Sequence, residues 1–131
     1  LAGFHITAFD IGSKKMQQFG FLLDLPEGQH LCFAGDEPVK PSTEKYAKGA
    51  KWLFSEAYCL HADRDIYKPY ERSHVTSLDA GNLAQEMGVR NMVIYHTADY
   101  GSDRRDRMTQ EAASVFSGSI YVPEDMEAIQ L

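Results

Sequence analysis

Three apolar segments, each ending at a polar residue able to bind metal or transfer protons, limit what this chain can fold into. Residues 30–34 end at Gly35 and Asp36, and two later segments end at Glu56 and His96. An apolar run bounded by glycine or proline is typical of a buried strand, and Gly35 permits a tight turn there. In open α/β sheets, sites lie in the crevice beyond the strand ends. The pattern therefore predicts one site formed by Asp36, Glu56 and His96.

The remaining sequence predicts an α/β (α+β) fold, a mixed sheet with helices on one face. Alternation and turn residues predict strands over residues 4–9, 20–25, 30–34, 52–54, 91–95, 119–122 and 126–131. Helices are predicted from Ser42 or Thr43 to Lys48, after Thr76 or Ser77, and before Gly118. Residues 58–72 lack a clear period and are predicted to form an irregular, partly helical segment.

Length and charge restrict the classes of protein to consider. The 131 residues fit one domain, and a net charge of −6 disfavours non-specific binding to nucleic acid. The apolar runs are far shorter than the roughly 18 residues of a membrane span, and the chain start lacks the basic flank of a signal peptide. The expectation is a cytoplasmic protein with no membrane partner.

Two kinds of side chain leave alternatives open. Cys32 and Cys59 are predicted to be buried, reduced thiols. Two basic groups either steer an anionic substrate or form solvated faces beside acidic neighbours: Lys45, Lys48 and Lys51, and Arg104, Arg105 and Arg107. The second interpretation is favoured.

Four short motifs occur in a recognisable order. They are Gly-Asp at residues 35–36, Ser-Glu-Ala-Tyr at 55–58, Ser-His-Val-Thr at 73–76 before a helix, and Tyr-His at 95–96. A terminal strand followed by Pro-Glu-Asp completes the series. In this order they resemble the motifs of tRNA 3′-processing endonucleases (tRNase Z) and their relatives in the metallo-β-lactamase fold superfamily. The resemblance covers nearly the whole chain.

The resemblance implies a role for each residue. Asp36 bridges two metal ions and His96 binds one of them, with Zn²⁺ expected and Mn²⁺ or Fe as alternatives. His74 is the general acid, and Glu56 orients its imidazole and favours the charged form. Judged without the resemblance, Asp36 and His96 are only two ligands, whereas zinc centres use three or four. On that basis His74 is a helix-start histidine and Glu56 a surface carboxylate.

The chain departs from the family pattern in a missing motif and at two positions. The chain contains no His-x-His, whereas the family's metal centre uses a His-x-His-x-Asp-His motif in the first half of the fold. Gly12 stands where similar relatives are expected to carry a further histidine ligand, and Ser55 replaces the histidine before the glutamate. Gly12 and the absent motif favour an alternative function, a metal-free binding or assembly module that keeps the half-fold, whereas retention of all four site residues favours the enzyme.

The preferred hypothesis is that residues 1–131 are the C-terminal half of an αββα sandwich. Such a half leaves a sheet face and edges uncovered, so the predicted partner is a complementary N-terminal half or a second copy of the chain. The predicted function is a metal-dependent hydrolase, a phosphodiesterase similar to tRNase Z, acting on a small phosphodiester or RNA. The chain by itself is expected to be inactive.

Overall fold

A six-stranded mixed sheet forms the centre of the computed structural model, which describes residues 3–131. Its strands lie side by side in the order in which they occur in the chain: β1 (Ile6–Asp10), β2 (Phe19–Asp24), β3 (His30–Phe33), β4 (Trp52–Glu56), β5 (Asn91–Tyr95) and β6 (Ser119–Tyr121). β1, β2 and β3 pair antiparallel, and β3 to β6 pair parallel. The carboxyl ends of β3, β4 and β5 therefore meet at one edge of the sheet.

The helices follow the predicted order along the chain: α1 (Glu44–Ala47), α2 (Arg64–Tyr67), α3 (Ser77–Glu86) and α4 (Arg104–Ala113). Thr76 is the N-cap residue of α3. Its hydroxyl accepts a hydrogen bond from the Asp79 amide, and the Asp79 carboxylate accepts one from the Thr76 amide. This capping box satisfies amides that the first turn leaves unpaired. Short 3₁₀ turns and α2 occupy residues 61–72, so the predicted irregular, partly helical segment is confirmed.

The sheet separates two apolar clusters of different size. The larger cluster contains strand residues such as Leu53 and Met92 packed against Ala84 of α3 and Met108 of α4, all fully buried. On the opposite face, which we call the open face, Leu31, Trp52 and Val93 form a smaller cluster. Alternate side chains of a strand point to opposite faces, so the same short strands supply both clusters.

Aromatic side chains on the open face remain accessible. Phe19, Phe21 and Phe33 are 47%, 45% and 38% exposed, and Phe33 stacks on Phe54 with ring centroids 4.1 Å apart. These rings line a groove of about 530 Å³. The predicted sheet with helices on one face is confirmed, and its other face carries an accessible apolar surface.

One predicted strand is wrong. Residues 126–131 form no strand, and Ile129 instead packs on the open-face cluster. Pro123 lacks an amide hydrogen for continued pairing after β6, and Arg105 forms ion pairs with Glu124 and Glu127. The chain therefore leaves the sheet after β6.

Three smaller findings concern bounds, thiols and membranes. β1 begins two residues later than predicted, and β4 continues to Glu56 because Ser55 and Glu56 still pair with β5. Cys32 and Cys59 are buried free thiols, as predicted. Across residues 3–131, none of the helices has the length and apolar composition required to cross a membrane.

The contact between α3 and α4 depends on Gly81. A Cβ atom at this position would lie 2.9 Å from both the Ala112 carbonyl oxygen and Val115 Cγ2. We expect Gly81→Ala to lower the free energy of unfolding by about 1 kcal/mol or more in urea denaturation, although alanine favours a helix by about 1 kcal/mol. Asn82→Ala, at the next and exposed position, is the control; a stabilised Gly81→Ala protein would contradict the close packing.

Candidate functional site

The four predicted site residues lie at the sheet edge where the parallel strands end. Asp36 follows β3 through the turn at Gly35, Glu56 is the last residue of β4, and His96 follows β5. His74 reaches the same edge from the segment that precedes α3. Parallel pairing places Glu56 opposite Tyr95, so the residues that follow β4 and β5 are neighbours. The structure therefore brings together residues that are 60 positions apart in the chain, from Asp36 to His96.

Glu56 and His74 face each other inside the protein. The Glu56 side chain is 1% exposed, and its Oε1 accepts a hydrogen bond of 2.8 Å from the Val75 amide. Its Oε2 lies 3.5 Å from His74 Nδ1, and both atoms are buried without a hydrogen-bond partner. Buried polar atoms are rarely left unpaired, and each such case needs an explanation such as an ion or a catalytic role.

His96 completes a group of three metal-ligating side chains. Ligand atoms of Glu56, His74 and His96 all lie within 4.8 Å of one another. His96 has a left-handed backbone conformation with a φ of 53°, and its ring centroid is 5.1 Å from that of His74. Two imidazoles and a carboxylate are a donor set suited to zinc and to other divalent transition metals. This set shares His96 with the predicted metal pair but contains the two residues predicted to act in proton transfer.

Burial sets the protonation of the central pair. It raises the pKa of Glu56 to about 8, and the charge of Asp36 adds to this effect. Burial also lowers the pKa of His74, and the positive charges of His96 and Lys15 lower it further, while Asp36 acts in the opposite direction. The expectation that a neighbouring carboxylate favours the charged imidazole is thus wrong for the metal-free chain, because desolvation is the largest effect on both groups.

Aromatic rings enclose one side of the histidine pair. Tyr58 stacks on His74 with centroids 5.1 Å apart and an interplanar angle of 23°, and its centroid is 6.2 Å from His96. Tyr67 meets Tyr58 edge to face at 6.0 Å. These contacts limit the positions that the His74 ring can adopt.

The three arginines singled out in the sequence form ion pairs with acidic residues, and Arg104 also lines a cavity together with His96. Arg104 forms an ion pair with Glu124 at 2.9 Å, and Arg107 pairs with Asp63 at 3.4 Å. Lys51 immediately precedes β4, at the opposite end of the strand from Glu56. The favoured interpretation, in which these are surface charges beside acidic neighbours, agrees with this arrangement.

Sequence reasoning missed a polar network beside the Asp36 turn. Glu37 is 5% exposed, and its Oε1 accepts a hydrogen bond of 2.6 Å from the Ser13 hydroxyl. Lys40 Nζ lies 3.5 Å from Glu37 Oε2 and donates a hydrogen bond to the Gly12 carbonyl. A Cβ atom at Gly12 would lie 3.6 Å from Lys40 Nζ, so a lysine ammonium borders the position where the resemblance expects a histidine. The only indication of this network in the sequence was a second acidic residue, Glu37, directly after Asp36.

Glu56 makes the stability of the metal-free chain depend on pH. With an unfolded pKa of about 4.5 and a folded pKa of about 8, its contribution is complete below the lower value and is lost as pH rises through the higher one. In a chelating buffer, wild-type unfolding free energy should fall relative to that of Glu56→Gln by about 2–4 kcal/mol from about pH 5 to about pH 8. Parallel pH profiles of the two proteins would contradict the raised pKa.

Among curated proteins, the sequence of this chain is similar to that of ribonuclease Z. The chain is 35% identical over 100 residues to "Ribonuclease Z" of Thermobifida fusca, covering 76% of this chain and 31% of that protein. It is 27% identical over 103 residues to "Probable metallo-hydrolase YhfI" of Bacillus subtilis, covering 78% of this chain and 40% of that protein. No family model matches the chain. The chain therefore spans less than half the length of these relatives.

Superposition on solved structures identifies the fold of this chain. The metallo-β-lactamase fold protein YhfI from Bacillus subtilis superposes with a TM-score of 0.75 at 23% identity, covering 95% of this chain and 49% of that chain. The short form of human tRNase Z superposes with a TM-score of 0.70 at 22% identity, covering 97% and 43%. The chain therefore has the fold of part of these metallo-β-lactamase fold structures, and its sequence is similar to that of ribonuclease Z.

Proposed function

We propose that the chain is the C-terminal half of a metal-dependent hydrolase, a phosphodiesterase similar to ribonuclease Z. Its active centre is completed by a first half that carries the His-x-His-x-Asp-His motif. Two findings support this proposal: the chain covers 31% to 49% of relatives that include ribonuclease Z and YhfI, and its functional side chains gather at one edge of the sheet. The observation that carries it is the buried, unpartnered pair of Glu56 Oε2 and His74 Nδ1 beside His96.

The residues present fit a divalent metal ion. His96 and Asp36 would hold it, with Zn²⁺ as the expected ion, two ions in the complete site, and Mn²⁺ or Fe as alternatives. When bound, the metal would polarise the scissile group and supply a nucleophile from water at neutral pH. Ligand atoms of Glu56, His74 and His96 lie within 4.8 Å of one another, which supports a cation at this edge of the sheet.

The protein's own groups would handle the leaving group. His74 would donate a proton to the leaving oxygen, and Glu56 would orient the imidazole from the opposite side. Tyr58, stacked on the ring, would keep it in one orientation. Because Glu56 is buried and its Oε1 is fixed by the Val75 amide, its Oε2 has one direction available, toward His74.

Metal binding separates the proposed roles of the histidines. Isothermal titration of the metal-free chain with Zn²⁺ should show His96→Ala weakening binding at least about tenfold, because a ligand is removed. His74→Ala should leave Zn²⁺ affinity within about threefold if His74 transfers protons, whereas a loss as large as that of His96→Ala would identify it as a ligand.

The control for this titration is His5→Ala. His5 Nδ1 lies 2.7 Å from Asp24 Oδ2, and the His5 side chain is 74% exposed. An equal effect of His5→Ala and His96→Ala would mean adventitious binding to surface histidines. Absence of Zn²⁺ binding by the wild-type chain would overturn the metal role of this edge in the isolated half.

The open face is the proposed contact surface for the first half. Its exposed rings Phe21 and Phe33 belong to an apolar groove, and large uncovered apolar patches mark interaction surfaces. The Arg105–Glu127 ion pair holds the chain after β6 beside that groove, with Ile129 on the same surface. A second copy of the chain is the alternative occupant.

Substitutions on the open face test this assembly. Phe21→Asp or Phe33→Asp should weaken the complex with a co-expressed first half at least about tenfold in native mass spectrometry, because a carboxylate would be buried without a partner. Asn82→Asp, an exposed position on α3, adds the same charge on the helical side and should leave the complex intact. A complex that tolerates both phenylalanine variants, or a chain that only pairs with itself, would contradict the proposed assembly.

A metal-free binding module is the second candidate. The Lys40 ammonium beside Gly12 favours it, because a cation there would repel a metal ion at that position. The same Zn²⁺ titration decides between the two: wild-type protein that binds no metal, alone or with its first half, would support the binding module.

A further inference from the structure

The segment between β1 and β2, residues 11–18, is fixed against the site by contacts at several points. Ile11 is 3% exposed, and its amide donates a hydrogen bond of 3.1 Å to the Gln18 carbonyl, which closes the segment. The Ser13 hydroxyl donates to Glu37, directly after Asp36. Ser13 Oγ also accepts a hydrogen bond of 3.2 Å from the Lys15 amide. Lys15 therefore extends from an anchored backbone.

The Lys15 side chain reaches the segment that carries His74. Its Nζ donates a hydrogen bond of 2.8 Å to the carbonyl of Arg72, which precedes His74 by two residues. A lysine ammonium has three donors, so two remain available for an incoming acceptor. The Lys15 side chain is exposed, which leaves these donors accessible from solvent.

The charge of Lys15 acts on both sides of the site. It contributes to lowering the pKa of His74, after burial and His96. Burial alone would raise the pKa of Glu37, but the Ser13 hydrogen bond and the charges of Lys40 and Lys15 outweigh it and lower that pKa. The ammonium thus lies close enough to the Asp36 turn and the His74 segment to influence groups in each.

An anionic group approaching this edge would otherwise meet a net negative protein. The chain carries a net charge of −6, and Asp36 and Glu56 lie at the site itself. Arg104 and Arg107 are already paired with carboxylates. Among the residues that the structure describes, Lys15 and Arg72 form no ion pair within 4 Å, so their charges are available to a ligand.

We propose that Lys15 determines the specificity of the site for an anion, its ammonium binding a non-bridging oxygen of a phosphoryl group held beside His74 and His96. The inference rests on the proposed function, because it names the charged group that the same site would receive. Lys15 would touch substrate, whereas Ser13 and Glu37 are positioning residues that hold its backbone.

Binding of two small phosphate esters tests the proposal without requiring turnover. Dimethyl phosphate, a monoanion, and trimethyl phosphate, its neutral counterpart, are titrated into the full chain and followed by ³¹P and protein NMR. Lys15→Ala should raise the dissociation constant of dimethyl phosphate about tenfold, the loss of one charge-assisted hydrogen bond. Lys15→Arg should keep it within about threefold because the charge is retained. Affinity for trimethyl phosphate should not change in either variant.

Lys14→Ala is the matched control. Lys14 is the adjacent exposed lysine, so its removal changes the net charge equally. It should alter dimethyl phosphate binding by less than about twofold. Equal losses in Lys14→Ala and Lys15→Ala would reduce the effect to general charge and overturn the proposal, as would wild-type protein that binds no dimethyl phosphate. The Ile11 and Ser13 contacts do not involve the Lys15 side chain, and its hydrogen bond to the Arg72 carbonyl is exposed, so only a small change in thermal midpoint is expected for Lys15→Ala.

Repeating the titration with and without Zn²⁺ separates this inference from the proposed function. Binding of dimethyl phosphate that depends on Lys15 in a chain that takes up no Zn²⁺, either alone or with its first half, would overturn the hydrolase proposal and leave the anion site standing. Zn²⁺ binding that depends on His96, together with dimethyl phosphate binding unaffected by Lys15→Ala, would do the reverse.

Discussion

Parallel pairing of β3, β4 and β5 is the constraint on which the rest of this structure depends. It brings the carboxyl ends of three strands to one edge, so that Asp36, Glu56 and His96 become neighbours although long segments separate them in sequence. Parallel strands need long crossover connections. Here those connections contain α1 and α3, which cover one face of the sheet, and the second crossover also supplies His74. The fold and the site thus arise from the same pairing.

Burying Glu56 at this edge has a cost that defines the chemistry of the site. A carboxylate that is 1% exposed, with one oxygen bound to an amide and the other unpaired, favours its protonated form in the absence of a cation. The same desolvation lowers the pKa of His74 and so disfavours its charged form, because its ring shares that environment. A divalent cation at this edge would favour the ionised Glu56 carboxylate, because it would supply the positive charge that this buried group lacks.

The unequal faces of the sheet explain why a chain of this size has an accessible apolar surface. The helical face buries the main core, whereas on the open face only a small cluster around Trp52 is covered, partly by Ile129. Phe21 and Phe33 lie in the row that a second layer would cover. An exposed aromatic groove of this kind is unfavourable for an isolated protein, and it agrees with a chain that spans less than half of its relatives.

The sequence by itself determined six of the strands and the main helices, and it predicted that Asp36, Glu56, His74 and His96 act together. Periodicity of apolar residues, the cap at Thr76 and the stops at Gly35 and Gly88 are local signals, and they were sufficient because local propensity and tertiary packing agree here. Only the tertiary structure decided the rest. Desolvation, which depends on neighbours distant in sequence, lowers the pKa of His74 although a favoured charged form was expected. The chain after β6 forms no strand, and Arg105 forms ion pairs with it there. The approach of Lys15 to Arg72 crosses 57 positions of the chain, so no local pattern could have indicated which of the lysines reaches the site.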